Sequence, residues 1–340
     1  MHRRLLLTAA IGASATALAP ARFLEAEGTL PVGREDSSGH INIVSTSGTT
    51  QLVLSALIRQ MGYFEHLGFT ARTVSVADGN KVVAALVSGD TDICPTSGFT
   101  QVLAAIEHGA PLRILAGGAI KNFYAVVSGN PAVRTLKDLE GHSVGIGALG
   151  SQLHQTMVAL FQKYGVDGSK VKFANVGASV DVFRAVKARV IDAGAVEYWL
   201  QPGSGLHILE HGRTFESLPE FVNQAAFASE RAIARKRDLL VRTLAVYARA
   251  YRFIMEGDSE SAFIAASAAA LGPGSADAAR TQWRFYRDIQ PFATDLILSE
   301  ERVRFMQELN IATGAQKRVL PYDRIVDGSL AQEALRLLAR

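Results

Sequence analysis

The feature that most constrains this chain is an alternation of short apolar runs, small polar loops and amphipathic runs through residues 40–196. It is clearest after residue 134. Residues 134–141 are polar, with Leu136 and Leu139 as the apolar positions of a short helical turn. Ser143-Val-Gly-Ile146 reads as a strand, residues 147–150 as a tight loop, and residues 152–164 as a helix with Leu153, Val158, Leu160 and Phe161 on its apolar side. Residues 171–176 are a second strand and Gly177-Ala-Ser179 a second small-residue loop. Residues 182–186 start a helix, and residues 190–196 are a third strand. Such alternation predicts a parallel α/β domain. A strand that runs through a Gly/Ser loop into a helix gathers free N–H groups and the positive end of a helix dipole at one point. Ligands in such sheets sit at the carboxyl ends of strands. Three of those ends carry Gly150-Ser151, Gly177-Ala-Ser179 and Glu197-Tyr-Trp199.

Residues 40–120 repeat the pattern. A strand at 41–44 leads through Ser45-Thr-Ser-Gly-Thr-Thr50, a loop of hydroxyls and one Gly, into an amphipathic run at 51–61. The strand at 70–76 exits through Asp78-Gly-Asn80 into a helix at 81–88. Ile93-Cys-Pro95 exits through Thr96-Ser-Gly98 into a helix at 99–108, and 111–115 is a further strand. An apolar strand at 123–127 leads into the second block and an extended run at 221–229 leads out of it. Two crossings between two α/β lobes describe a hinge. The expected division is a first lobe of 40–123 plus 229–340 and a second of 124–228. The remainder is read as helices at 235–255, 259–271 and 275–289 and from Ser299, with an irregular stretch at 322–327.

The 48% hydrophobic content suffices for two cores. Arg3 and Arg4 precede an uncharged apolar run at 5–19, too short for a bilayer span, and Ala19-Pro-Ala21 is a small-residue cleavage pattern. Residues 1–21 therefore read as an export signal, with the general secretory and twin-arginine routes both open, and 22–39 as a flexible leader. Removing Arg3 and Arg4 takes the formal charge from +3 to about +1, which argues against nucleic acid as a partner. Cys94 is the single cysteine, so no internal disulfide can form, and it reads as a small buried hydrophobe rather than a nucleophile. The eight histidines show no metal-ligand spacing, so neither metal nor cofactor is expected. His142 and His154 read as surface residues, and Arg113 and Lys121 as structural or solvent-exposed.

Residues 83–93, 104–112, 136–146, Gly150-Ser151, 188–193 and 322–330 form an ordered set. In that order the chain resembles the solute-binding proteins of nitrate/sulfonate/taurine-type ABC importers, a family also linked to thiamine-precursor binding. The resemblance implies a two-lobed α/β periplasmic-binding-protein fold of type II, with two parallel-rich sheets flanked by helices and joined by two hinge strands. It also implies a monomeric, non-enzymatic periplasmic receptor that closes on a small organic solute and presents it to an inner-membrane ABC permease. Position by position, Ser47, Gly48, Thr49 and Thr50 match the first ligand loop, Asn80 the second, and Thr96, Ser97 and Gly98 the third. In the second lobe Gly150, Ser151, Ser179, Glu197, Tyr198 and Trp199 match.

Where many members carry small residues and prolines, this chain has Glu197-Tyr-Trp199, which argues against nitrate or another tiny anion. The helix starts suit a sulfonate or carboxylate head, the two aromatics suit an apolar or ring-containing body, and Glu197 suits an amine or hydroxyl at the opposite end. Two alternatives share the fold. One is an enzyme, as an aromatic sulfinate desulfinase with a cysteine and a thiamine-pyrimidine synthase with a Cys-rich motif are; no such motif occurs here. The other is a receptor that feeds a sensor.

Overall fold

Strands that are buried on both faces need helices on both sides of their sheet. Three short strands of this chain are buried at every residue, Ile93–Ser97, Ala193–Glu197 and Ala225–Ser229. The computed structural model describes residues 39–339, which fall within one compact unit. The expected export signal, and the expected leader apart from Gly39, lie outside the described residues.

The strands are β1 (His40–Thr46), β2 (Thr70–Val76), β3 (Ile93–Ser97), β4 (Leu112–Gly117), β5 (Tyr124–Ser128), β6 (Ser143–Ile146), β7 (Lys172–Asn175), β8 (Ala193–Glu197), β9 (His207–Arg213) and β10 (Ala225–Ser229). They form two five-stranded sheets, in the orders β2-β1-β3-β10-β4 and β7-β6-β8-β5-β9. β1 pairs parallel with β2 and β3, and β10 pairs antiparallel with β3 and β4. β6 pairs parallel with β7 and β8, and β5 pairs antiparallel with β8 and β9. The two sheets thus share one topology, each with a single antiparallel strand inserted next to its last strand.

The crossings lie beside the strands expected to carry them. β5 and β10 each belong wholly to one sheet, β10 to that of β1–β4 and β5 to that of β6–β9. The chain passes between sheets at 118–123 and 218–224, and these two segments are bonded to each other. Asn223 and Gln224 N–H both donate to the Ala119 carbonyl at 2.9 Å, and Gly118 N–H donates to the Gln224 carbonyl at 3.0 Å.

The helical remainder packs on the first sheet. Glu260–Leu271 lies against Thr49–Gln60, and Ser329–Leu338 lies against Glu230–Glu256 and β4. Glu230–Glu256 begins earlier than expected because Ser229 caps it, its Oγ accepting from Ala232 N–H at 3.2 Å. The expected irregular stretch at 322–327 contains one helical turn, Tyr322–Ile325.

Close packing in the second lobe depends on two strand glycines. A Cβ on Gly194 would lie 2.3 Å from Val182 Cγ1, and one on Gly145 would lie 2.3 Å from Ile191 Cδ1. Both neighbours are buried, and Val182 is stiff at χ1. The helix Ser179–Lys187 therefore sits tight on β6 and β8, which fixes where Ser179 meets the sheet ends. Gly194→Ala should destabilise the protein by about 1–3 kcal/mol, the usual scale for overpacking. Urea unfolding measures this, and an unchanged midpoint would contradict the close approach.

Candidate interlobe site

In the first lobe the loops after β1 and β3 lie side by side. Thr46 Oγ1 and Ser97 Oγ are 3.3 Å apart, and Ser97 is buried. Gly48 is the N-cap of Thr49–Gln60 without any side-chain cap, so the neighbouring hydroxyls are not engaged in capping. Thr50 is buried, and its hydroxyl is 2.9 Å from the Tyr286 phenol. Thr96 donates to Gln224 Oε1 at 2.7 Å, which ties β3 to the return crossing. Ser47 is exposed, with its N–H on the Val76 carbonyl at 3.0 Å. Asn80 is also exposed, its N–H capped by Asp78 Oδ1 at 2.9 Å, and it bonds to none of the other candidates.

In the second lobe the helix Gln152–Tyr164 starts where the sequence predicts, and Ser151 caps it. Gly150 has φ 79°, and its N–H donates to His154 Nδ1 at 3.0 Å. His154 is therefore not the surface residue expected from the sequence. From the first turn of the helix it folds back over the loop, 8% exposed, with its ring edge-on to Phe173 at 4.9 Å. Burial lowers its pKa, consistent with a neutral ring that accepts at Nδ1. A Cβ on Gly147 would lie 3.4 Å from the Gly177 carbonyl, so the loops after β6 and β7 touch.

Two groupings span the lobes. In one, a Cβ on Gly98 would lie 2.9 Å from Gln152 Oε1, so the loop after β3 meets the helix start of the other lobe. Gln152 Nε2 donates to the Asn223 carbonyl at 2.9 Å and also touches Asn223 Oδ1. Asn223 is 1% exposed, yet its Nδ2 has no partner among the described residues.

The other grouping surrounds Glu197, the last residue of β8, which pairs with Tyr124 of β5. Glu197 is 7% exposed. Burial pushes its carboxyl up to about 7, against a smaller lowering by the Ser179 hydroxyl. Burial also raises the phenols of Tyr124 and Tyr286, and the charge of Glu197 adds to both. Tyr198 stacks on Phe285 at 4.9 Å and meets Phe215 edge-on at 5.3 Å. Trp199 is 4% exposed, with ring centroids 5.5 Å from Phe123, 5.9 Å from Phe285 and 5.6 Å from Tyr286. It therefore packs on the helix Ala276–Ile289 of the first lobe, and this aromatic contact joins the two halves.

Gln152, Tyr124, Asn223 and Tyr286 were missed from the sequence. Asn223 and Gln224 did carry a signal, as two amides inside an otherwise apolar run. Tyr286 carried none, because it lies in a helix far along the chain from the loops it meets. Two shallow surface grooves occur elsewhere, one along Val319–Asp323 and one along Ile208–Arg213; both are open, and neither contains a candidate residue. Cys94 is fully buried, and burial pushes its thiol up to about 12.

Two sheets of like topology joined by two paired crossings define a two-lobed periplasmic-binding-protein fold. The chain belongs to the NMT1/THI5-like family, whose family model matches residues 56–261. Among curated proteins none matches it in sequence. Solved structures are similar over most of the chain. A protein from Bordetella bronchiseptica superposes with a TM-score of 0.72 at 17% identity, covering 90% of this chain and 99% of its own. The periplasmic aliphatic sulphonate-binding protein SsuA from Escherichia coli gives 0.67 at 17% identity, covering 86% and 92%. A variant of the enzyme DszB in complex with biphenyl-2-sulfinic acid gives 0.64 at 14% identity, covering 88% and 99%.

Glu197 has a stability consequence. Its folded pKa of about 7 lies above its usual 4.5, so the folded state holds more protons than the unfolded state between those values. Its contribution to stability therefore falls as pH rises through this window, and the full cost is present above pH 7. Glu197→Gln should stabilise the solute-free protein by about 1–3 kcal/mol at about pH 8 and much less near pH 4.5. Denaturant unfolding at the two pH values checks this, and an equal effect at both would contradict it.

Proposed function

We propose that this chain is the solute-binding component of an ABC importer, capturing a small organic solute between its two lobes. The observation that carries the reading is the meeting of polar strand ends from both lobes, Gly98 against Gln152 and Thr50 through Tyr286 beside Glu197. A solute placed there would contact both halves and favour their closure about the paired crossings. Ser47, Gly48, Thr49, Thr50, Asn80, Thr96, Ser97 and Gly98 are the proposed contacts of the first lobe. Gly150, Ser151, Ser179, Glu197, Tyr198 and Trp199 are those of the second. N–H groups and hydroxyls at these helix starts suit a sulfonate or carboxylate without an arginine. The sulphonate bound by the relative from Escherichia coli supports that ligand class. The same reading makes the protein an exported periplasmic monomer whose partner is an inner-membrane permease.

Likeness to DszB raises an enzyme reading. Against it stands the chemistry of Cys94, a buried thiol that stays protonated at neutral pH and is no nucleophile. A thermal-shift panel of alkane- and arylsulfonates, carboxylates and pyrimidines tests the proposal. A true solute at about a hundredfold excess over its Kd adds about 2.7 kcal/mol and should raise Tm by several degrees. Mass spectrometry should recover it unchanged. A panel without a single hit, or conversion of the hit to a product, would overturn the receptor reading.

A further inference from the structure

We propose that Glu197 is the specificity residue of the cleft and that its carboxylate receives a cationic, N–H-donating end of the solute. This rests on the solute-binding reading above and names the chemistry of one end of the ligand. A carboxylate taken out of water needs a cation or several donors. Glu197, 7% exposed at the end of β8, has few. Its electrostatic neighbours are the Ser179 hydroxyl of the helix Ser179–Lys187, the Tyr124 phenol of β5 and the Tyr286 phenol of the helix Ala276–Ile289. No Lys, Arg or His of the described residues contributes to its electrostatics.

The phenol of Tyr286 is already shared. Gln282 Nε2 donates to it at 2.7 Å, and the Thr50 hydroxyl lies 2.9 Å away. Among the described residues, Ser179 is the one hydroxyl that lowers the carboxyl's pKa. Its strand partner Tyr124 and its chain neighbours Tyr198 and Trp199 are aromatic. Trp199 and Phe285 pack around Tyr286, and Tyr198 stacks on Phe285. A buried carboxylate that neighbours aromatic residues and has no cation among the described residues is the chemistry that recognises an ammonium or amidinium group. A sulfonate or carboxylate head at this end would meet a like charge, so the anionic head belongs at the Gly98–Gln152 end. Burial that pushes the carboxyl up to about 7 adds a linkage: a cation favours the ionised form, so capture near neutrality expels a proton.

The test is calorimetric titration of matched probes that differ in one amine: taurine against ethanesulfonate, γ-aminobutyrate against butyrate, and aminomethylbenzoate against methylbenzoate. In at least one pair the amine should bind wild type at least about tenfold more tightly at about pH 8. That preference should shrink, by up to about tenfold per pH unit, as the pH falls below 7. Glu197→Gln should abolish the preference while leaving the amine-free member bound at least as tightly. Should this variant fail to fold, the pH dependence of the wild-type preference decides alone. Amine-free probes that bind wild type as tightly as their amines, or a preference that survives Glu197→Gln or ignores pH, would overturn the inference and leave the receptor reading standing. If no probe binds, both fall.

Discussion

Everything in this molecule depends on how closely the two crossing segments approach. Gly118 N–H reaches the Gln224 carbonyl at 3.0 Å, and two successive amides, Asn223 and Gln224, converge on one Ala119 carbonyl. A Cβ on Gly118 would lie 3.1 Å from the Gln224 oxygen and 3.3 Å from Thr96 Oγ1, so a larger residue would push the segments apart. The paired crossings set the spacing of the sheets at the carboxyl ends of β3 and β8. They also place Asn223 within reach of Gln152 and Gln224 within reach of Thr96. Two segments paired this way resist separation and would leave only a few backbone torsions to change in the proposed closure.

Across that hinge the molecule uses two kinds of contact. The aromatic group of Phe123, Tyr198, Trp199, Phe285 and Tyr286 is largely buried, and aromatic pairs of this geometry stabilise beyond their area. The polar groups set within it are under-partnered. Among the described residues Asn223 Nδ2 has no partner and Glu197 has no cation. A buried donor or charge left unpaired costs about 1–3 kcal/mol or more. Natural proteins keep such groups where another molecule completes them. The folded scaffold therefore holds polar groups in place at a cost that a fitting solute would remove.

The alternation of strands, small-residue loops and helices was legible because Gly, Ser and Thr mark each strand exit, and the helix that Ser151 caps began where the sequence said it would. The shared topology of the two sheets followed from the likeness of the two blocks. Three things were not legible. β9, with the sequence His-Ile-Leu-Glu-His-Gly-Arg, has no apolar period and turns through His211 at φ 58°, so no pattern announced it. The strand glycines Gly145 and Gly194 were visible, but their purpose depends on Val182 and Ile191, which reach them only in the folded state. His154 looked like an exposed polar residue, yet its position in the first helical turn aims it back at the loop. In the candidate site, the loop residues could be named because they sit at strand ends. Tyr286 and Asn223 could not, because they arrive from the far helix and from the crossing.

The central claim is that one solute touches both lobes at these strand ends. Amide hydrogen exchange with and without a saturating thermal-shift hit tests it most directly. The account predicts slowed exchange together at 97–100 in the first lobe and at 150–155 and 177–181 in the second, with the sheet interiors unchanged. Protection confined to one lobe, or centred on the grooves along Val319–Asp323 or Ile208–Arg213, would contradict it.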